Sequence, residues 1–176
     1  MSYFQRFPKI PYDYTGDRDL RVFTHLLKRV KVRALAKENT FNFDFYDVQD
    51  GESPEMIAHK YYGDAGLHWT ILIANDIQDY YTDWPMSVAR FEQFLIDKYG
   101  NSIYDIHHYE IEQLSGKTTK TIDIGSDNTG HPSAVAVSNY EYESTLQDQK
   151  RQIRLIDPKY IYDFIAEFEE LITEGA

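Results

Sequence analysis

The run YDVQDGESPEMIAHKYYGDAGLHWTILIAND, from Tyr46 to Asp76, constrains the fold more than any other part of the chain. It opens as a strand, turns through Gly51, Glu52, Ser53 and Pro54, and then carries two short apolar helical patterns that close at Asn75. Ser53 is a good helix N-cap, Pro54 suits the first helical position and Glu55 favours the positive helix end. Met56, Ile57, Ala58 and Tyr61 give that helix its buried side, and Gly63 ends it. Asp64 can cap a second helix carrying Leu67, Trp69, Ile71, Leu72, Ile73 and Ala74, which is apolar nearly all round and so predicted to be central. Trp69 has Leu72 and Ile73 at i+3 and i+4, which directs one side of its ring to the core. The expected core of this module is Ile57, Ala58, Tyr61, Trp69, Leu72 and Ile73.

The flanks are less regular. Residues 1–19 are rich in Tyr, Pro and Asp and read as an extended arm. Tyr3, Tyr12 and Tyr14 are its candidate interface residues, because tyrosine gives large contact area at low entropy cost. From Leu20 to Lys37 the spacing of Phe23, Leu26, Leu27, Val30 and Ala34 predicts a basic helix. It could touch nucleic acid or an acidic neighbour, or neutralise the protein's own carboxylates. TFNFDFYDV alternates Phe41, Phe43 and Phe45 with polar residues, as a strand does. IQDYYTDWP is an aromatic connector whose Tyr80, Tyr81 and Trp84 are further interface candidates. A helix over Ser87–Tyr99 is predicted to turn Val88, Phe91, Phe94 and Leu95 inward. Ile103–Ile111 and Lys120–Ile124 suggest a hairpin joined by a polar linker. GSDNTGHPS is a loop, and Asn139–Gln149 is polar and ambiguous. RQIRLI alternates as a strand. Asp157 and Pro158 then start a helix striped with Ile161, Phe164, Ile165, Phe168, Leu171 and Ile172, with Asp163, Glu167, Glu169 and Glu170 opposite. The expected fold class is α+β, in three parts: an N-terminal arm and basic helix over 1–42, the two-helix core and following helix over 43–100, and a β-hairpin, loop and C-terminal strand–helix over 101–176.

Eighteen basic against 29 acidic residues leave a formal charge of −11, which argues against phosphate-backbone binding as the main task. With 42% hydrophobic residues, 15% of the chain aromatic, a packed core is affordable and wholesale disorder is not expected. The chain has no cysteine, so neither a disulfide framework nor a thiolate zinc site can form. Its N-terminal residues lack the apolar stretch of a signal peptide, and nothing approaches the run of about 18 apolar residues that a membrane span needs. A protein kept in the cytoplasm where it is made is expected.

Catalytic chemistry finds little support. None of the six histidines is paired in H-x-x-x-H spacing. His107 and His108, adjacent on a presumed strand, should point to opposite faces, which is poor geometry for one metal. Asp123, Asp127 and Asn128 lack the ligand spacing and closing glutamate of a calcium loop. The Gly116–Lys117–Thr118 triplet has no upstream glycine and no following helix, so it is no phosphate loop. No nucleophile elbow is present, and no cofactor or metal is expected.

Set beside known families, YDVQDGESPEMIAHKYYG with Trp69 and Asn75 resembles the LysM domain, a βααβ module that often binds cell-wall sugar. The resemblance departs after Asn75, where a sugar-binding LysM runs quickly into its closing strand. The order of a Tyr/Pro arm, the basic segment, ESPEMIAHKYYGDAGLHWTILIAND, DYYTDW, a helix ending KYG and RQIRLIDPKYIYDFIAEFEELI resembles, over nearly the whole chain, the small baseplate wedge proteins of T-even-like contractile-tailed bacteriophages. That resemblance implies a non-enzymatic virion component with a LysM-like scaffold, assembled in the host cytoplasm in multiple copies. Its implied partners are other baseplate wedge proteins and the subunit at the sheath-initiating end, with no nucleic acid and no membrane. The alternative is a module for N-acetylglucosamine polymers, with Asp50, Glu52 and Ser53 as the sugar contacts.

Overall fold

The computed structural model describes residues 3–27, 43–113 and 120–173. The chain forms two compact units, Met1–Trp84 with Gln152–Ala176, and Pro85–Arg151. The second is therefore an insertion within the sequence of the first.

In the first unit, a 3-10 turn over Tyr3–Arg6 leads through the buried Phe7 into a hairpin of β1 (Lys9–Tyr12) and β2 (Arg21–Thr24). The strands are antiparallel, with Lys9 opposite Thr24 and Tyr12 opposite Arg21. Asp13 folds the connecting loop by accepting the backbone N–H groups of Arg18, Gly16 and Thr15, and these bonds hold its carboxyl below the usual range. Next come β3 (Phe43–Asp47), α1 (Pro54–Tyr62), a 3-10 turn over Ala65–Leu67 and α2 (His68–Ala74). The local signals act as their chemistry dictates. Ser53 Oγ accepts from the Met56 N–H at 3.4 Å, and Gly63, at φ 77°, returns its N–H to His59 O. A short helix α3 (Tyr80–Asp83) ends this stretch.

After the insertion, β7 (Gln152–Ile156) pairs antiparallel with β3, Phe43 facing Ile156 and Asp47 facing Gln152. The order β3–α1–α2–β7 is a βααβ arrangement whose last strand arrives late in the chain. Asn75, at the end of α2, holds that strand. Its Oδ1 accepts from the Arg154 N–H at 2.8 Å, and its Nδ2 donates to Arg154 O at 2.8 Å and to Ile71 O at 2.9 Å. One amide thus gives β7 the two bonds that a neighbouring strand would give. Two apolar clusters fill the unit. Val48, Ile57, Ala58, Ile71, Trp84, Ile153 and Leu155 form one. Phe7, Phe43, Leu67, Trp69, Ala74 and Ile156 form the other, with Ile161, Ile165, Phe168 and Ile172 of the last helix, α6 (Ile161–Thr173).

The second unit has α4 (Val88–Tyr99), then β4 (Ile106–Glu112), β5 (Thr121–Gly125) and β6 (Val135–Ser138) in a three-stranded antiparallel sheet ordered β5–β4–β6, then α5 (Asn139–Arg151). Helix α5 is tethered by polar side chains. The buried Glu143 accepts from Lys98 Nζ at 2.6 Å and from the Tyr99 hydroxyl at 2.8 Å, and Gln147 Oε1 accepts from the Met86 N–H. A buried carboxylate is tolerated because both donors meet it.

Several expectations need correction. The arm is not simply extended: Tyr3 and Phe7 pack against the aromatic core, which folds the segment onto the unit. The basic helix does not begin at Leu20, because Arg21–Thr24 is a strand; the remainder, 28–37, lies outside the described residues, as do Phe41 and linker residues 114–119. Met56 and Val88 are exposed rather than inward. The last helix begins at Ile161 because Asp157 first closes a turn, taking the Lys159 N–H on its carboxylate and the Tyr160 N–H on its carbonyl. The ambiguous stretch at Asn139 is helical, and β6 stands where no strand was predicted.

Candidate assembly interface

The residues nominated from sequence separate by burial. Ile57, Ala58 and Trp69 are buried, while Tyr61, Leu72 and Ile73 are partly buried against the same clusters. Among the interface candidates, Tyr12, Tyr14, Tyr80 and Tyr81 are exposed, Tyr81 by 68%. Tyr3 packs on Trp69 and Phe168 at ring-centroid distances of 5.5 and 5.8 Å. Trp84 is only 4% exposed, and its indole N–H donates to Glu52 O at 2.9 Å. The bonded indole belongs to the core, not to a surface.

Among the described residues, exposed apolar side chains include a group on the hairpin of the first unit and a group on the second unit. On the hairpin, Phe23 is exposed beside Tyr12 and Tyr14, Val22, 69% exposed, lies on the opposite face, and Leu20, Leu26 and Leu27 are exposed as well. Phe23 meets both tyrosine rings, and Arg21 lies 5.3 Å from the Tyr14 ring centroid while donating to its hydroxyl. On the second unit, Tyr104, Tyr140, Phe91 and Phe94 form a chain of ring contacts 6.0–6.5 Å apart, with Tyr104 and Tyr140 outermost. Sequence reasoning missed Val22, Tyr104 and Tyr140. The available signal was an aromatic or β-branched residue among polar neighbours, which is also how core strands look.

The side chains nominated for sugar are engaged internally. Glu52 accepts from the Tyr46 hydroxyl, the Gln49 N–H and Lys60 Nζ, Ser53 caps α1, and Trp84 covers the Glu52 carbonyl. Partial burial opposes the Glu52 charge, but the bonds from Gln49, Tyr46 and Lys60 outweigh it and hold its carboxyl below the usual range.

His107 and His108 also depart from expectation. The ladder between β4 and β6 slips between Ile106 and His108, and both rings then reach Tyr142, His107 stacking on it at 4.0 Å. Their Nδ1 atoms lie 2.9 Å apart, and His108 Nε2 is 3.2 Å from Glu110 Oε1. Among the described residues no three His, Asp or Glu side chains group with metal-binding geometry.

Two tyrosines behind β3 and β7 give a pH prediction. The Tyr62 hydroxyl donates to Ile156 O at 3.1 Å, and burial pushes its pKa from 10.0 to about 12. Burial and the Asp44 carboxylate push Tyr61 up as well. A raised folded pKa means stability that is present below the unfolded value and lost as pH rises through the folded one. Urea midpoints should therefore fall between pH 10 and 12, and Tyr62→Phe should flatten that fall. Glu52 acts with the opposite sign: its contribution is present above pH 4.5 and is lost as pH drops below it.

A family profile described as base plate wedge protein 53 matches residues 19–131. The chain belongs to this family. The baseplate wedge protein gp53 of Enterobacteria phage T4 is 28% identical to it over 144 residues, covering 74% of each chain.

Proposed function

We propose that this baseplate component acts as a non-enzymatic link within a phage tail baseplate wedge, tying neighbouring wedge subunits together through protein contacts on both of its units. The observation that carries the reading is the pair of exposed aromatic clusters, one of Phe23, Tyr12 and Tyr14 and one around Tyr104 and Tyr140, in a member of the wedge family. A link needs at least two separate contact patches.

The βααβ core is read here as LysM-like, with Asn75 drawing in the delayed strand and Ile57, Ala58, Tyr61, Trp69, Leu72 and Ile73 as its framework. It serves as a rigid block, not as a sugar site, because Glu52 and Ser53 are occupied by internal bonds. The partners are other wedge proteins and the subunit at the sheath-initiating end, met during assembly in the host cytoplasm, and the chain is present in several copies by the symmetry of the baseplate. Tyr12, Tyr14, Tyr80 and Tyr81 are contact residues in this scheme.

Co-expression of the wedge genes of one phage, with and without this chain, tests the proposal. The expected result on size exclusion is a complex containing at least two other wedge proteins that separate when this chain is omitted. Neighbours that associate equally well without it would refute the linking role.

A further inference from the structure

On a regular strand His107 and His108 would point to opposite faces, and the slip of β4 against β6 between Ile106 and His108 is what brings both rings to one side. His107 is exposed and stacks on Tyr142 of α5 with the ring planes 10° apart, while His108 is 6% exposed and meets the same ring edge-on. The two Nδ1 atoms stand 2.9 Å apart, and His108 Nε2 stands 3.2 Å from Glu110 Oε1. A neutral imidazole has one donor and one acceptor. Facing a carboxylate, His108 Nε2 carries the proton and donates, so His108 Nδ1 is the acceptor and His107 Nδ1 donates to it. Both nitrogens of the buried ring are then bonded. A first extra proton goes to His107 Nε2, the ring nitrogen outside these bonds, and leaves the arrangement whole. A second has to enter between the Nδ1 atoms. There two N–H groups would face each other at hydrogen-bond distance, on two cations in contact.

Among the described residues, one carboxylate, Glu110, reaches the pair. The elements packed on β4 are β5, β6 and α5. On β4 itself Glu112 is exposed at the far end, and Asp105 is exposed before the start. On β5, Asp123 lies opposite Glu110 and accepts from the Gly125 N–H. On β6, Val135 and Val137 lie opposite Glu110 and His108 and carry no charge. On α5, Glu141 is bonded to Ser138, and Glu143 to Lys98 and Tyr99. We infer that the His107–His108 pair is an acid-operated latch, which holds α5 to the bulged start of β4 while the two rings share one proton and releases it when both are charged. The backbone at this junction reports on it, because the Asn139 N–H donates to Asp105 O at 3.0 Å and the Tyr140 N–H to Ile103 O at 2.9 Å. Tyr104 and Tyr140 flank the junction with ring centroids 6.0 Å apart, so opening it takes apart the outer end of the exposed ring chain, whatever that surface meets. An opened junction carries two ordinary histidines, both charged below about pH 6. It then binds at least one proton more than the closed pair, so opening is favoured as pH falls, by about tenfold or more for each unit.

Amide exchange on the full-length chain at about pH 6 and about pH 5, corrected for intrinsic rates, tests it. The Asn139 and Tyr140 amides should lose about tenfold in protection at the lower pH, while the Ile57 amide of α1 and the Leu95 amide of α4 keep theirs. His107→Phe keeps a ring on Tyr142 and takes away the shared proton, and should abolish that loss. Nitrogen shifts of the wild-type histidine rings at about pH 8, above the histidine range, give a second readout. His107 should be protonated at Nδ1 and His108 at Nε2. Any other pair of neutral tautomers would overturn the inference, even if His107→Phe does not fold. So would Asn139 and Tyr140 amides that keep their protection at the lower pH, that lose it together with Ile57 and Leu95, or that lose it equally in His107→Phe.

Discussion

Trp69→Ala should leave the Met1–Trp84/Gln152–Ala176 unit unfolded or molten at room temperature. Trp69 is 3% exposed, with Phe168, Tyr3 and Phe164 at ring-centroid distances of 4.7, 5.5 and 6.2 Å and the Arg6 guanidinium 5.5 Å from its ring. Truncating a buried tryptophan costs about 3–5 kcal/mol, which is comparable to the whole stability of a marginal domain. Among the described residues its indole N–H has no hydrogen-bond partner, so the loss is one of packing and not of a bond. Trp69→Phe, which keeps a ring and deletes the unpaired donor, should cost less than Trp69→Ala. Near-ultraviolet circular dichroism with thermal melts separates the cases. A folded Trp69→Ala protein with an unshifted melting temperature would contradict the packing described.

Asn75→Ala should be nearly as damaging, although the side chain is small and polar. It strips partners from the Arg154 N–H and Arg154 O in one step, while Ile71 O keeps the backbone N–H of residue 75. Leaving a buried polar group unpaired costs about 1–3 kcal/mol, and water can reach some of these half-buried groups, so a total of roughly 2–4 kcal/mol is expected. The damage should begin locally, with the Arg154 amide and its neighbours in β7 exchanging faster than α1. Asn75→Asp keeps the acceptor for Arg154 N–H but sets a carboxylate against two carbonyls, so it should rescue little. An Asn75→Ala protein with unchanged exchange along Gln152–Ile156 would show that β3 alone holds β7.

The legible parts of this fold were those where one local rule acted without competition. Ser53, Pro54 and Gly63 bound α1 because capping chemistry is short-range. The last helix showed itself through a stripe of apolar residues against carboxylates, and β7 through the alternation of Gln152, Ile153, Arg154 and Leu155. Other segments satisfied two rules at once. Phe23, Leu26 and Leu27 fit a helical period, yet Arg21–Thr24 carries the β-branched Val22 and Thr24; pairing with β1 decides for the strand. Helix α5 was silent because its inward residues are Asn139, Glu143 and Gln147, whose partners Ser102, Lys98, Tyr99 and Met86 are distant in sequence. No periodicity of apolar residues can reveal a face buried through polar bonds. The same limit applies to the contact surface. Trp84 looked like an interface anchor until its N–H found Glu52 O, and the slip in β4 that turns His107 and His108 toward Tyr142 depends on β6.

The central claim is that one chain bridges different neighbours, and lysine cross-linking of intact tails, read by mass spectrometry, tests it most directly. Lys9 and Lys60 report on the first unit and Lys98 and Lys150 on the second. The account predicts cross-links from the first pair and from the second pair that together reach at least two different baseplate proteins. Cross-links from both pairs to a single neighbour, or only to other copies of this chain, would contradict it.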